Sequence, residues 1–218
     1  MAGHVSIAVF DECPGEQGAF DELSRTTRGT LLGRAVAAGG TLLAGGIAIG
    51  GLPGLAAAAP SPAQDAAILN VVLQLEELEA AFFTEAERRA RLTPALRRFA
   101  RVVGAHERAH VAFLRNALGS KARKRSTFDF GQATRERRAF AAAAVLLEDT
   151  VVAAYNGQAA NLTKRTLAAA ASIVSVEARH AGWIRAIVGL DPAPDPTDVP
   201  MSATEVARTV RKTGFVRR

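Results

Sequence analysis

Two Glu-x-x-His pairs constrain the fold of this chain more than any other feature of its sequence. They run from Glu107 to His110 and from Glu177 to His180. Residues three apart lie on one face of an α-helix, and both pairs stand in apolar helical stretches, where an unpaired charge would be costly. The chain contains only 4 histidines, so two of them in one pattern are informative. A metal ion that binds both side chains of each pair is the economical explanation.

Apolar residues recur with helical spacing after residue 62 and predict four long helices. We expect these helices at about 64–92, 94–118, 134–160 and 164–189. The first and third links are short and make two antiparallel hairpins, whereas the long link at 119–133 lets the third helix start at the other end of the bundle. Ser202 and Glu205 form a capping box that opens a short last helix. The predicted fold is all-α: a four-helix bundle with a long crossover between helices 2 and 3, plus a short C-terminal helix.

Two further glutamates, Glu76 and Glu148, complete a duplicated pattern. Each lies on the apolar face of the first helix of a predicted hairpin, and the Glu of the next pair follows after 31 residues in one half and 29 in the other. An aromatic residue follows each lone glutamate after two helical turns, Phe83 in the first half and Tyr155 in the second. Each half therefore has one Glu on its first helix and a Glu-x-x-His on its second.

Glu76 has two rivals for the place that it takes in this pattern. Glu77 is adjacent to it, and Glu79 is one turn later on nearly the same helix face. Glu76 is preferred because it stands two turns before an aromatic residue, as its counterpart does in the second half. Glu79 is expected either beside the site or in solvent.

Four carboxylates and two imidazoles suit a pair of divalent metal ions. Two such ions close together repel each other, and four carboxylates neutralise them, some by bridging both. One imidazole for each ion leaves coordination positions open for water or dioxygen. This ligand set suits iron or manganese, and it includes no thiolate that would capture softer metals.

Four stretches of the sequence carry a resemblance to a known family: 65–83, 106–114 (HERAHVAFL), 147–155 and 176–184 (VEARHAGWI). Residues 65–189 resemble the ferritin-like superfamily, particularly the ferritin-like family that includes the desiccation-related proteins. The resemblance implies Glu107 and Glu177 as bridging carboxylates. It implies six metal ligands in all: Glu76, Glu107, His110, Glu148, Glu177 and His180. No catalytic residue beyond these ligands is expected.

The resemblance also implies an activity. Members of the superfamily store iron, oxidise Fe(II), reduce peroxides or have no known activity. We therefore expect two iron ions, with manganese as the second choice, and a metal-dependent oxidase that uses dioxygen or peroxide as its small-molecule substrate. Phe83 replaces a tyrosine that often stands two turns after the first ligand, so a redox-active phenol on that helix is not expected.

Three residues are expected beside the ligands rather than on the metal: Tyr155, His106 and Glu79. Tyr155 follows Glu148 by two turns, which places its hydroxyl where it could donate a hydrogen bond to a metal ligand. His106 is expected to be partly exposed on its helix, near the site.

Two alternatives remain open at this level. His106 and His110 spell the zinc-peptidase string His-Glu-Arg-Ala-His, in which Glu107 would be the general base. No further histidine follows at the spacing of a third ligand, and the pair at Glu177 and His180 would have no purpose, so this alternative is set last. The other alternative is a non-enzymatic stress or desiccation-related protein of the cell envelope, with a structural or vestigial metal site.

Residues 1–59 are predicted to be an export signal. An uncharged apolar run at 35–59 follows Arg25 and Arg28 and ends in small residues, with cleavage expected near Ala58 or Ala59. The two arginines resemble a twin-arginine motif whose pair has been split, so the twin-arginine and general secretory routes both stay open. An uncleaved run would anchor the protein in the membrane.

The predicted organisation is therefore an export signal at 1–59, a ferritin-like bundle at 60–190, and a tail with a short helix at 191–218. The protein is expected in the periplasm, the cell envelope or outside the cell. Its formal net charge of +6 is weak support for nucleic-acid binding, and no sequence-specific nucleic acid is expected. Membrane contact is expected only through the N-terminal apolar segment. A homodimer is compatible with the sequence, although no feature of it favours one.

Overall fold

Five α-helices make up most of the computed structural model, which describes residues 59–217. In chain order they are α1 (Pro62–Arg89), α2 (Pro94–Leu118), α3 (Arg137–Gln158), α4 (Lys164–Ile187) and α5 (Ala203–Thr213). The all-α fold class predicted from the sequence is confirmed. The predicted export signal, except for its last residue, lies outside the described residues.

Five of the eight ends of the long helices differ from the predicted ends by two or three residues, because caps and turns decide them, whereas both ends of α2 and the start of α4 match. Ser61 accepts a hydrogen bond from the backbone N–H of Gln64 at 3.3 Å. Pro62 occupies the first helical position of α1, where a missing N–H costs nothing. The extended backbone conformation of Ala90 then ends α1 earlier than the apolar pattern predicts. The third helix begins later than predicted because Gly131–Thr134 forms a separate 3-10 turn.

Two helical hairpins form the bundle, α1 with α2 and α3 with α4, and they meet through α1–α3 and α2–α4 contacts. A close approach at Gly104 joins the first hairpin. A Cβ atom on Gly104 would lie 3.0 Å from the Cβ of Phe83, tighter than ordinary van der Waals contact. Glycine therefore lets α2 pack closely against α1 at the level of the Phe83 ring, which is fully buried.

The crossover between α2 and α3 is held by strand pairing and by an aromatic cluster. Strand β1 (Thr127–Phe128) pairs antiparallel with β2 (Val216–Arg217) at the C-terminus. The Phe82 ring of α1 stacks on Phe140 of α3, with ring centroids 5.3 Å apart, and meets Phe130 of the crossover edge-on at 5.4 Å. Phe215 contacts Phe130 at 5.3 Å. This short sheet was not predicted, since each strand is only two residues long.

The C-terminal segment docks on the outside of α3. The backbone N–H of Met201 donates to the carbonyl of Ala153 at 2.9 Å. A Cβ atom on Gly157 would lie 1.9 Å from the Met201 carbonyl oxygen, so only glycine permits this contact. The capping box of Ser202 and Glu205 that the sequence predicts is present at the start of α5, and α5 contributes buried valines to the core.

Candidate metal centre

The four long helices bring the six predicted ligands together in the middle of the bundle. Two groups of donor atoms lie close enough to hold a metal ion. One consists of Glu76, Glu107, His110 and Glu177, and the other of Glu107, Glu148 and His180. Within each group, every donor atom lies within 4.8 Å of the others. The four carboxylates are fully buried, while the side chains of His110 and His180 are 11% and 4% exposed.

His110 marks the first position, which we call the His110 position. Its Nδ1 atom lies 3.2 Å from Oε2 of Glu76 and 3.1 Å from Oε2 of Glu107. The same nitrogen lies 2.8 Å from Oε1 of Glu177. One nitrogen thus faces three carboxylates that come from three different helices.

His180 marks the second position, the His180 position. Its Nδ1 atom lies 3.2 Å from Oε1 of Glu107 and 3.3 Å from Oε2 of Glu177. Oε2 of Glu148 is 3.6 Å away. Glu107 and Glu177 therefore each turn one oxygen toward His110 and the other toward His180. This is the arrangement that a carboxylate bridging two ions requires.

Burial, neighbouring charges and contacts with the histidines shift the pKa values of three of these carboxyl groups. Burial raises the pKa of Glu76 well above its ordinary value, and the charge of Glu177 raises it further. Burial likewise raises the pKa of Glu148, against the opposing contact with His180. Burial would also raise the pKa of Glu107, but its contacts with the two histidines outweigh burial and lower the pKa to about 2. The pKa of Glu107 is thus shifted in the opposite direction to the pKa values of Glu76 and Glu148.

Both histidines hold a positive charge in the absence of metal. Burial alone would lower the pKa of His110, but its contacts with Glu107, Glu177 and Glu76 outweigh that effect and raise the pKa to about 12. The pKa of His180 is raised to about 11 against the same opposition from burial, chiefly by Glu107 and Glu148. The two imidazolium cations therefore balance part of the negative charge of the carboxylates in this cluster. A metal ion has to displace these protons in order to bind.

Whether cations fit in this cluster can be judged from its carboxylate oxygens. Among residues 59–217, six oxygens of the buried cluster have no hydrogen-bond partner: both of Glu79, both of Glu148, and Oε1 of Glu107 and of Glu177. The contacts of Glu107 Oε1 and Glu177 Oε1 with the histidines are therefore short, but they do not have the angles of hydrogen bonds. Buried oxygens of this kind carry a desolvation cost, which a bound cation would remove. The donor set fits two ions of the kind that carboxylate and imidazole prefer, iron or manganese.

Tyr155 contacts the centre, but not through the glutamate of its own helix. Its hydroxyl donates a hydrogen bond to Oε1 of Glu76, across the bundle on α1, at 2.8 Å. Burial raises the pKa of Tyr155 well above its ordinary value, and the nearby charge of Glu76 adds to this. The expected hydrogen bond to a predicted ligand is present, and it joins the two hairpins.

His106 is exposed and contacts the centre through His180. The Nδ1 atom of His106 lies 2.8 Å from Nε2 of His180, and the two rings stack with centroids 5.1 Å apart. Since Nδ1 of His180 faces the carboxylates, its Nε2–H is the group that donates to His106. His106 belongs to neither group of metal-sized donors among the described residues, so the two histidines of the zinc-peptidase string do not converge.

Glu79 is not in solvent, and its carboxyl group has no hydrogen-bond partner among residues 59–217. Its side chain is fully buried, so of the two places expected for Glu79, solvent is excluded and the place beside the site remains. The signal for its burial was present in the sequence, since Glu79 stands one turn after Glu76 on the same helix face.

A surface pocket of about 340 Å³ leads to the two imidazoles from the side of α2 and α4. It is lined by His106, Ala109, His110, Val176, Arg179, His180 and Trp183. Arg179, an exposed cation inside the second Glu-x-x-His pair, was not predicted to belong to the site. The pocket gives small molecules a route to the histidine side of the centre, while the glutamates of α1 and α3 stay on the buried side.

Comparison with known proteins agrees with the geometry. A family model described as a ferritin-like domain matches residues 64–190. That range contains all six predicted ligands. No curated protein matches the chain.

Proposed function

The chain belongs to the ferritin-like domain family, and we propose that it oxidises Fe(II) at a dinuclear carboxylate centre, with dioxygen or peroxide as the electron acceptor. One observation carries the proposal: Glu107 and Glu177 each turn one oxygen to His110 and one to His180. Shared carboxylates of this kind hold two ions close enough to act on one small substrate.

The side chains of the proposed centre have distinct roles. Glu107 and Glu177 would bridge, Glu76 and Glu148 would each bind one ion from the buried side, and His110 and His180 would each bind one ion from the pocket side. Bound iron would supply one electron from each ion to dioxygen or peroxide. The four carboxylates would neutralise the charge of two divalent ions in a site from which water is largely excluded.

The pocket supports a small substrate. Its seven lining residues include the two ligand histidines, so a molecule in the pocket would meet the open side of both positions. A volume of about 340 Å³ is near the lower end of drug-sized sites, and Arg179 would favour an anionic or polarisable acceptor at the mouth. Dioxygen and peroxide satisfy these limits.

We also propose that the protein acts outside the cytoplasm. The support is the uncharged run at 35–59 behind Arg25 and Arg28, which has the features of an export signal. If a leader peptidase removes the signal, a chain that begins near residue 60 should be found in the secreted fraction. A full-length chain that stays in the cytoplasmic fraction would contradict it.

The experiment that tests the function is an anaerobic Fe(II) titration followed by exposure to air or peroxide. We expect the protein to bind two Fe(II) and then develop ferric charge-transfer absorbance. The double variant His110→Ala, Glu177→Ala should bind neither ion, whereas Glu87→Gln, which changes a carboxylate on α1 away from the cluster, should behave as wild type. Wild-type affinity in the double variant, or fewer than two ions in the wild type, would contradict the proposal.

The same titration separates this function from the non-enzymatic alternative. A purely structural metal site would bind two ions and raise the melting temperature, yet show no faster oxidation than Fe(II) in buffer. Oxidation that exceeds the buffer rate, and that the double variant lacks, would exclude the structural role.

A further inference from the structure

Glu79 is a fifth fully buried carboxyl group at the centre, in addition to the four predicted carboxylate ligands. It stands on α1, one turn after Glu76, and its side chain is 0% exposed. Neither of its oxygens has a hydrogen-bond partner within residues 59–217. A buried carboxyl group without a hydrogen-bond partner destabilises the fold, so its presence calls for a cation that the other side chains do not supply.

The surroundings of Glu79 point to the His180 position. Burial raises its pKa well above the ordinary value, and among its charged neighbours Glu148 has the largest effect, ahead of Glu107, Glu177 and Glu76. Glu148 belongs to the donor group that contains His180. The Glu79 carboxyl group therefore interacts more strongly with Glu148 than with Glu76, the predicted ligand of its own helix.

The donors at the His180 position are also less closely grouped, although Glu177 faces both positions. The group around His110 has four residues, whereas the group around His180 has three. Both oxygens of Glu148 are free of hydrogen bonds, whereas one oxygen of Glu76 is occupied by Tyr155. One more carboxylate at the His180 position would equalise the two groups.

The duplicated architecture does not demand this residue. The residue three positions after Glu148, at the place in α3 that corresponds to Glu79, is Val151, which is also buried. A valine is sufficient to fill the same position in the repeat. Glu79 is thus a chemical addition to one side of the centre and not a requirement of the helix packing.

We infer that Glu79 is a seventh protein ligand, which binds the ion at the His180 position and makes the dinuclear centre asymmetric. The inference rests on the proposed metal centre. Because Glu79 is not yet within the donor group, its side chain has to rotate toward Glu148 and His180 when the ion binds.

A fifth carboxylate has a consequence for redox chemistry. Four carboxylates balance the charge of two divalent ions, and oxidation of both ions then leaves two uncompensated positive charges in a buried site. A fifth carboxylate removes one of them, and the net charge of a buried site is costly to increase. Glu79 therefore stabilises the oxidised centre more than the reduced one, and its loss should raise the reduction potential.

The test is an anaerobic Mn(II) titration of the full-length protein by calorimetry, with Glu79→Gln and Glu79→Val as variants. Glutamine keeps the volume and removes the charge, while valine reproduces the residue of the second half. We expect the affinity for one of the two equivalents to fall about 10- to 100-fold and the other to stay within about threefold. Glu87→Gln, on the same helix, is the matched control and should leave both affinities unchanged.

Three outcomes would overturn the inference in distinguishable ways. If both variants bind two Mn(II) as tightly as the wild type, Glu79 is not a ligand and the proposed centre stands. If the wild type binds fewer than two ions, the proposed centre fails and the inference fails with it. If the variants do not fold, a crystal structure of Mn(II)-loaded wild type decides. An oxygen of Glu79 within about 2.5 Å of the ion beside His180 supports the inference, and an oxygen farther than that from both ions overturns it.

Discussion

The two metal positions share a sequence pattern and differ in what surrounds it. At the His110 position, four donors converge and Tyr155 fixes Glu76 by a hydrogen bond of 2.8 Å. At the His180 position, three donors lie close together, Glu177 faces His180 at 3.3 Å, and Glu148 has no hydrogen-bond partner in the described part of the chain. The difference teaches that a duplicated pattern brings two groups of possible metal donors together, whereas residues outside the pattern determine how those donors are held.

The environments of the two histidines differ in the same sense. Nε2 of His180 contacts His106 at 2.8 Å, and His106 is exposed to solvent. His110 makes its described contacts only through Nδ1. The His180 position is therefore linked to the surface through a chain of two imidazoles, and the His110 position is linked to the buried phenol of Tyr155 through Glu76.

The largest expected effect comes from the residue that both positions share. Glu107→Gln should weaken both equivalents of Mn(II) by about 100-fold or more, because each position loses a charged ligand. Glu76→Gln should weaken only the His110 position and Glu148→Gln only the His180 position. Calorimetric titration of the three variants measures this. Loss of a single equivalent in Glu107→Gln would show that the carboxylate does not bridge.

The pH dependence of stability tests both histidines together. Their folded pKa values of about 12 and 11 lie above the unfolded value of about 6.5. The stabilisation is therefore complete below pH 6.5 and is lost as the pH rises through the folded values. Between pH 7 and 9, the metal-free protein should lose up to about 1.4 kcal/mol per pH unit for each imidazole.

The measurement is denaturant unfolding in the presence of a chelator at several pH values. His110→Gln and His180→Gln should each reduce the slope, since each variant lacks one of the two imidazoles, while the buried carboxyl groups with raised pKa values keep their share of it. With Mn(II) present the trend should reverse, because the metal competes with protons for the same ligands. A flat profile for the metal-free wild type would contradict the assignment of protons to these rings.

A smaller effect is expected when Tyr155 becomes Phe. The substitution removes the hydrogen bond to Glu76 and leaves a buried carboxyl oxygen unpaired, at a cost of about 1–3 kcal/mol to the metal-free protein. Metal affinity should fall about tenfold at the His110 position and stay unchanged at the His180 position. Unfolding and titration of Tyr155→Phe measure both. An equal change at both positions would remove the distinction between them.

The smallest effect is expected at His106. His106→Ala removes the acceptor for Nε2–H of His180, which orients the ring without touching the ion. Affinity at the His180 position should fall by about three- to tenfold, and His106→Gln, which retains an acceptor, should restore most of the loss. If alanine and glutamine variants are equally impaired, the role of His106 is packing rather than orientation.

The sequence was sufficient to predict the helical bundle and to select six residues that the fold brings together. Helix periodicity and the repeated order of Glu and Glu-x-x-His carry that information, because both are local. The assignment of those six as ligands stays a prediction. The helix ends were displaced by up to three residues, because Ser61 and the 3-10 turn at Gly131–Thr134 decide them.

The contacts between helices could not be predicted in the same way. Tyr155 was expected near Glu148 on its own helix, but its hydroxyl reaches Glu76, which depends on the register between α1 and α3. The burial of Glu79 depends on how wide a face of α1 the other helices cover. The pairing of β1 with β2 joins segments almost ninety residues apart, and no local sequence pattern predicts it.

The docked C-terminus has a consequence for how the protein would meet a protease. The family match ends at residue 190, yet Val206 and Val210 are buried and Phe215 packs against Phe130 of the crossover. Cleavage after residue 190 would strip these side chains from the bundle and uncover aromatic surface on α1 and the crossover. We expect such a product to open more often and to be degraded faster. The docked C-terminal segment would thus protect the bundle from proteolysis, since chains that retain residues 191–217 would persist longer than chains that have lost them.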